Sequence, residues 1–136
     1  MQKQDLTKFV GIPFKFLGVD YDGLDCIGLC QLFYKEHGYD IEFRDGKPIT
    51  KDWYETAPTR MWKWFCKKCD KIENIYDLQY GDIVVFEIGG ENHTSIYIGD
   101  FKVLTILEIY KKSMIVHLNK CEVLYRCGFR FKNIKE

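Results

Sequence analysis

The stretch from Asp22 to Gly38 constrains the fold most, because it predicts a helix with a cysteine in its first turn. Asp25 is a favoured N-cap residue, and Gly38 stands where glycine allows the left-handed turn that ends many helices. At about 100° per residue, one apolar stripe emerges. It consists of Cys26, Leu29, Cys30, Phe33 and His37. We therefore expect Cys26 to face inward, toward the element on which the helix packs.

Cys26 has two interpretations at this point. A thiol at a helix N-terminus meets the positive end of the helix dipole and unpaired N–H groups, which favour a thiolate and can also stabilise an oxyanion. Gly28, in the same turn, costs about 1 kcal/mol of helix propensity relative to alanine, which suggests that another group approaches the backbone there. Alternatively, Cys26 is a small core residue, because unpaired cysteines are among the most buried residues.

Length and charge narrow the class of protein. The chain has 136 residues, and we expect one domain spanning residues 1–136. Its 20 basic and 20 acidic residues balance, which argues against a nucleic-acid partner. The N-terminus lacks the apolar run of a secretory signal, and no stretch approaches the roughly 18 apolar residues of a membrane span. We therefore expect a protein that is made in the cytoplasm and does not span a membrane.

The six cysteines are then expected to be mostly reduced. Cys66 and Cys69 form a CxxC pair, but Cys121 and Cys127 are separated by five residues, which does not fit a zinc knuckle. We expect no metal site and no cofactor.

The order of predicted elements indicates an α+β fold. A short helix within residues 3–10 and an extended segment over 12–18 precede the Cys26 helix. A surface loop over 39–50 and a second amphipathic helix within 51–70 follow it. Alternation and turn residues then predict strands at 83–88, 93–98, 103–109, 114–118 and 126–132. We expect N-terminal helices packed on an antiparallel sheet of about five strands.

One of the three histidines is a suitable base for a reactive thiol. His37 lies at the far end of the same helix, about 16 Å from Cys26. His117 comes late in a strand with no flanking loop. His93 begins a strand after a Gly-Gly loop, on the face that also carries Ser95. A histidine at a strand start is commonly a surface residue, but with Cys26 it indicates a nucleophile and its base.

Two motifs in this order resemble those of the NlpC-type cysteine peptidases of bacteria and phages. The motifs are Asp-Cys-Ile-Gly-Leu at 25–29 and His-Thr-Ser-Ile-Tyr-Ile-Gly at 93–99, joined by the strand opener Tyr-Gly-Asp at 80–82. The resemblance extends from about Phe9 to Phe131. It implies a papain-like fold in permuted order and hydrolysis of peptidoglycan stem peptides, with Cys26 as nucleophile and His93 as base and then acid.

The resemblance also implies further site residues. Asp25 corresponds to the residue that contacts the free amine of the substrate. Phe14 replaces a common tyrosine, and Ile27 replaces a common serine, at substrate-binding positions. The third catalytic position, usually a histidine twelve residues after the base, falls on Thr105.

Strand geometry leaves the partner of His93 open. A two-residue loop at Asp100 and Phe101 places Glu108 across from His93, whereas a three-residue loop returns Thr105 to the His93 side of the sheet. A carboxylate stabilises an imidazolium better than a hydroxyl does. Both residues stay candidates.

The short single domain is similar to the forms found in phage tails, which implies phage tail proteins as partners and the virion tail as a location. Phe14, Ile27 and Thr105, which stand in place of the polar groups usual in the family, favour an alternative, a non-catalytic tail or scaffold protein that keeps the fold. Such a protein would use a partner-binding surface around Trp53, Trp62 and Trp64. A thiol acyltransferase of related fold is a more distant alternative.

Overall fold

The computed structural model describes residues 1–43 and 60–132. Three predictions lie wholly or partly outside these residues. They concern the second half of the loop at 39–50, the first part of the helical region at 51–70, and a partner surface at Trp53.

Two α-helices are present in the described residues. Helix α1 spans Cys26–Glu36 and is buried on most of its surface, while Lys35 is exposed. Gly38 follows with φ of 90°, which confirms the predicted left-handed ending. Helix α2 spans Arg60–Lys68 and buries Phe65, whereas Cys66 is exposed. The predicted helix within residues 3–10 is a single 3-10 turn, Thr7–Phe9.

A six-stranded sheet in the order β3-β8-β4-β5-β6-β7 forms the second layer, and every neighbouring pair is antiparallel. Its strands are β3 (Cys69–Ile72), β4 (Ile83–Ile88), β5 (Glu91–Tyr97), β6 (Lys102–Ile106), β7 (Ser113–His117) and β8 (Tyr125–Phe131). The α+β class is as predicted. The sheet exceeds the predicted five strands because β3, expected as the end of a helix, pairs with β8. A two-stranded ribbon of β1 (Val19–Asp20) and β2 (Gly23–Leu24) precedes α1.

Alternation along the strands divides the core into two clusters. The larger cluster contains Ile83, Val85, Ile96, Leu104 and Ile106 together with the buried residues of α1. The smaller cluster lies on the opposite face of the sheet and includes Val84, Phe86 and Val103. Helix α1 contacts both β5 and β6, which sets its N-terminus beside the ends of these two strands.

The segment before α1 joins the helix to the edge of the sheet. Ser113 N–H donates to the Ile12 carbonyl at 2.8 Å, and Phe14 N–H donates to the Lys111 carbonyl at 2.8 Å. The chain then turns back over the start of α1. In residues 1–43 and 60–132, no helix combines the length and apolar character needed to cross a membrane.

Candidate active site

A cavity of about 500 Å³ lies between the start of α1 and the ends of β5 and β6. One wall comes from the segment before α1 and from its first residue: Phe14, Lys15, Phe16, Asp25 and Cys26. The remaining lining residues come from the strands and from the chain after them: Glu91, His93, Ile106, Leu107 and Glu108. The structure therefore brings Cys26 and His93 to one cavity, although they are far apart in sequence.

Cys26 is the first residue of α1 and is 4% exposed. The helix begins there because Asp25 caps it: Oδ1 of Asp25 accepts a hydrogen bond from Gly28 N–H at 2.7 Å. The other carboxylate oxygen accepts from Leu17 N–H at 3.0 Å. Asp25 thus fixes both the first turn of the helix and the chain that forms the wall beside Cys26.

Gly28 is explained by a close backbone approach within the chain. A Cβ at this position would lie 1.8 Å from the Gly18 carbonyl oxygen. Gly18 is itself approached closely by backbone, since a Cβ on Gly18 would lie 2.2 Å from the Gly23 carbonyl oxygen. The group expected to approach the first turn of α1 is therefore the preceding segment, folded tightly over it.

His93 lies on β5, and its side chain is 19% exposed. Burial lowers the pKa of His93, and the negative charge of Glu91 opposes this by raising it. Oε2 of Glu91 lies 3.6 Å from Nε2 of His93. An imidazole whose pKa is lowered is neutral at pH 7 and is therefore able to accept a proton.

Thr105 does not line the cavity. Strands β5 and β6 pair with Ile96 opposite Leu104, which is the register predicted for a three-residue loop. The Ser95 hydroxyl donates to Oγ1 of Thr105 at 2.8 Å. Both residues are buried, and their hydroxyls are bonded to each other across the two neighbouring strands. Glu108, the other candidate partner of His93, follows β6 and does line the cavity.

Phe14 and Ile27, the two other predicted substrate-binding residues, differ in their position relative to the cavity. Phe14 lines the cavity, and its backbone is held by the bond to Lys111. Ile27 packs in the larger core cluster and does not line the cavity, because one step of about 100° around the helix turns its side chain away from Cys26. The expectation of a substrate contact at Ile27 therefore finds no support in the geometry.

His37 is remote from the cavity, as expected. Its Nδ1 lies 2.7 Å from the Phe33 carbonyl oxygen and its Nε2 lies 2.8 Å from the Tyr80 hydroxyl. Cys30, one turn after Cys26, is fully buried, and burial raises its pKa.

Glu91 and Lys15 are cavity residues that sequence analysis missed. The signal for Glu91 was present: residues two apart on a strand share a face, so Glu91 and His93 project together. It was overlooked because Glu91 was assigned to the loop before the strand. Nothing in the sequence distinguished Lys15 from other surface lysines.

Solved structures with the same fold include several NlpC/P60 proteins. The NlpC/p60 domain of the peptidoglycan hydrolase SagA is 19% identical with a TM-score of 0.59, and the match covers 91% of each chain. An NlpC/P60 family protein from Bacillus cereus is 22% identical with a TM-score of 0.62, covering 90% of this chain and 36% of that one. NlpC2 from Trichomonas vaginalis is 16% identical with a TM-score of 0.67, covering 93% of this chain and 44% of that one. At these identities the likeness shows the fold.

Curated proteins offer no match to this sequence. The family, however, is shown by the sequence profile of NlpC/P60, which matches residues 11–124 and therefore most of the chain. The matched range includes every residue that lines the cavity. The chain belongs to the NlpC/P60 family.

Proposed function

We propose that this protein is a cysteine peptidase that hydrolyses amide bonds in the stem peptides of peptidoglycan, and that residues 1–136 form one catalytic domain. The observation that carries the proposal is that Cys26 and His93 line the same cavity. Membership of the NlpC/P60 family supports this reaction class.

In the proposed reaction, His93 accepts the thiol proton of Cys26, and the sulfur attacks the carbonyl carbon of the substrate amide. The carbonyl oxygen becomes an oxyanion as the S–C bond forms. The C–N bond then breaks, and His93 returns the proton to the departing amine. Water, deprotonated by His93, attacks the acyl-enzyme and restores the thiol, so the net reaction is hydrolysis of one amide bond.

The start of α1 supplies the electrostatic part of this reaction. A thiolate at Cys26 lies at the positive end of the helix dipole, which stabilises it. Because Asp25 already occupies the Gly28 N–H, the backbone N–H groups earlier in the turn are the candidates to meet the oxyanion.

Charged side chains of the cavity suit a substrate with a positive group. Three carboxylates, those of Asp25, Glu91 and Glu108, line the cavity with one lysine, Lys15. A peptide with a free amine beside the scissile bond would meet this excess of negative charge favourably.

The direct test is hydrolysis of purified peptidoglycan by wild type and by Cys26→Ala, with release of new amino groups as the readout. We expect the substitution to abolish the reaction, because Cys26 is the only cysteine, serine or threonine among the described residues that line the cavity. Cys66→Ala, which removes an exposed thiol on α2, is the matched control and should retain the wild-type rate. Equal activity in wild type and Cys26→Ala would refute the proposal.

A second candidate function is a non-catalytic tail or scaffold protein. It is favoured by the placement of Thr105 against Ser95 instead of at the cavity, and by the apolar Phe14 in the wall. A wild-type protein that binds peptidoglycan peptides without cleaving them would support this alternative. The association with a phage tail, and a location in the virion, rest on the resemblance to tail-associated forms alone.

A further inference from the structure

We propose that Glu91 is the positioning residue for the His93 imidazole, in place of the residue twelve positions after the histidine. This inference rests on the proposed function, in which His93 is the base. Oε2 of Glu91 and Nε2 of His93 are 3.6 Å apart, and both residues line the cavity that Cys26 also lines.

The position of Glu91 on β5 makes this contact a consequence of strand geometry. Residues two apart on a strand project from the same face. Glu91 is the first residue of β5 and His93 is the third, so their side chains share a face of the strand. Strand β4 fixes both residues, with Ile88 opposite Glu91 and Phe86 opposite His93. The Glu91 carboxylate and the His93 imidazole are therefore both held by β5 through its pairing with β4.

Thr105 is less suited to the role in this chain. Its Oγ1 accepts a hydrogen bond from Ser95, and it is not among the cavity residues. A hydroxyl also gives less stabilisation to an imidazolium than a carboxylate does. Glu91 supplies the charge that the threonine lacks.

The chemical role follows from which nitrogen Glu91 faces. When Nε2 carries the proton and points to the Glu91 carboxylate, Nδ1 is the basic nitrogen that takes the thiol proton. Glu91 then fixes the tautomer and ring orientation and stabilises the imidazolium formed in the reaction. The other charged or titratable groups around the cavity are Asp25, Cys26, Lys15 and Glu108.

The test compares Glu91→Gln with wild type by two readouts. The first is the pKa of His93, followed by NMR in a Cys26→Ser background so that the thiol does not titrate with it. Loss of the carboxylate should lower this pKa by a few tenths to about one unit, since the pair is partly exposed to solvent. The second is the pH profile of the rate at which iodoacetamide alkylates Cys26, which should move in the same direction.

Four further variants separate a positioning role from a structural one. Glu91→Asp keeps the charge and should restore much of the wild-type profile. Glu87→Gln removes an exposed carboxylate from neighbouring β4 and should leave the pKa of His93 unchanged. Thr105→Val and Glu108→Gln replace the two residues that sequence analysis suggested as partners of His93. Each should shift the pKa of His93 less than Glu91→Gln does.

The inference is overturned if Glu91→Gln leaves the pKa of His93 and the alkylation profile where they are, or if Thr105→Val or Glu108→Gln gives the larger shift. Neither readout requires a cleaved substrate. Failure of wild type to hydrolyse peptidoglycan would therefore refute the proposed function, while the variants would still decide whether Glu91 holds His93.

Discussion

Cys26 differs from the other cysteines in its surroundings. Burial raises the pKa of Cys69 to about 12 and that of Cys127 to about 12, and it also raises those of Cys30 and Cys121. These four thiols are therefore protonated at neutral pH and react slowly with alkylating agents. Cys26 alone among the six cysteines begins a helix and lines a cavity that also contains a histidine.

This difference predicts the order of alkylation. With iodoacetamide at pH 7 and limiting reagent, we expect Cys26 to be modified first, because the rate follows the thiolate fraction. Peptide mass mapping over time identifies the site. Cys66 is the informative competitor, since it is exposed and depends on no cavity for access. His93→Ala should slow the labelling of Cys26 and leave that of Cys66 unchanged.

Earlier labelling of Cys66 or Cys69 would show that Cys26 is an ordinary buried thiol. The reading of Cys26 as a small core residue would then stand.

At the scale of elements, the start of α1 depends on the segment folded over it. The Gly18 carbonyl lies against Gly28, and Asp25 binds Gly28 N–H and Leu17 N–H with its two carboxylate oxygens. Leu17 adopts φ of 62°, which lets the chain reverse at this point. The segment that closes the cavity and the helix that carries the thiol are therefore one packed unit.

Gly28→Ala should break this unit. Alanine has a higher helix propensity than glycine by about 1 kcal/mol. However, its Cβ would overlap the Gly18 carbonyl oxygen, so we expect the free energy of unfolding to fall by about 2 kcal/mol or more. Urea unfolding measures the change. Lys35→Ala, at an exposed position on the same helix, should stay within about 0.5 kcal/mol of wild type. A Gly28→Ala protein as stable as wild type would contradict the packing described.

At the scale of the whole molecule, an ion pair between a buried carboxylate and a partly exposed guanidinium links β8 to the residue before β4. Nε of Arg130 on β8 donates to Oδ1 of Asp82 at 2.9 Å, and its Nη2 donates to Oδ2 at 2.7 Å. Asp82 comes just before β4 and also accepts from Gln79 N–H at 2.7 Å. Its side chain is 4% exposed, whereas that of Arg130 is 41% exposed.

Because the two side chains differ in exposure, we expect the free energy of unfolding to fall by different amounts when one or the other partner is replaced. Arg130→Met leaves a buried carboxylate without its cation, and we expect a loss of about 2 to 4 kcal/mol. Asp82→Asn leaves an arginine that water can reach, so the loss should be smaller, about 1 to 2 kcal/mol. Urea unfolding of the two single variants and the double variant gives both values and the coupling between them. A larger loss for Asp82→Asn would contradict this account.

By itself, the sequence determined the class of fold, helix α1 and five strands of the six-stranded sheet. The N-cap at Asp25, the left-handed Gly38 and the alternation at 83–88 and 93–98 are local signals, because each depends on the backbone preferences of a few neighbouring residues. Cys26 and His93 could be named as candidates for the same reason: each stands at the start of a predicted element. Strand β3 was missed because pairing with a distant partner, β8, decides its conformation.

Only the tertiary structure decided which side chains share the cavity. The register of β5 and β6 placed Thr105 against Ser95, and the rotation of α1 placed Ile27 in the core. The fold of residues 14–18 placed Phe14 in the lining of the cavity that contains Cys26. A one-residue change in a loop alters the face of a whole strand, and the loop sequence did not specify its length. Glu91 joined His93 for the same physical reason, since the start of β5 is set by its pairing with β4 and not by the residues that precede it.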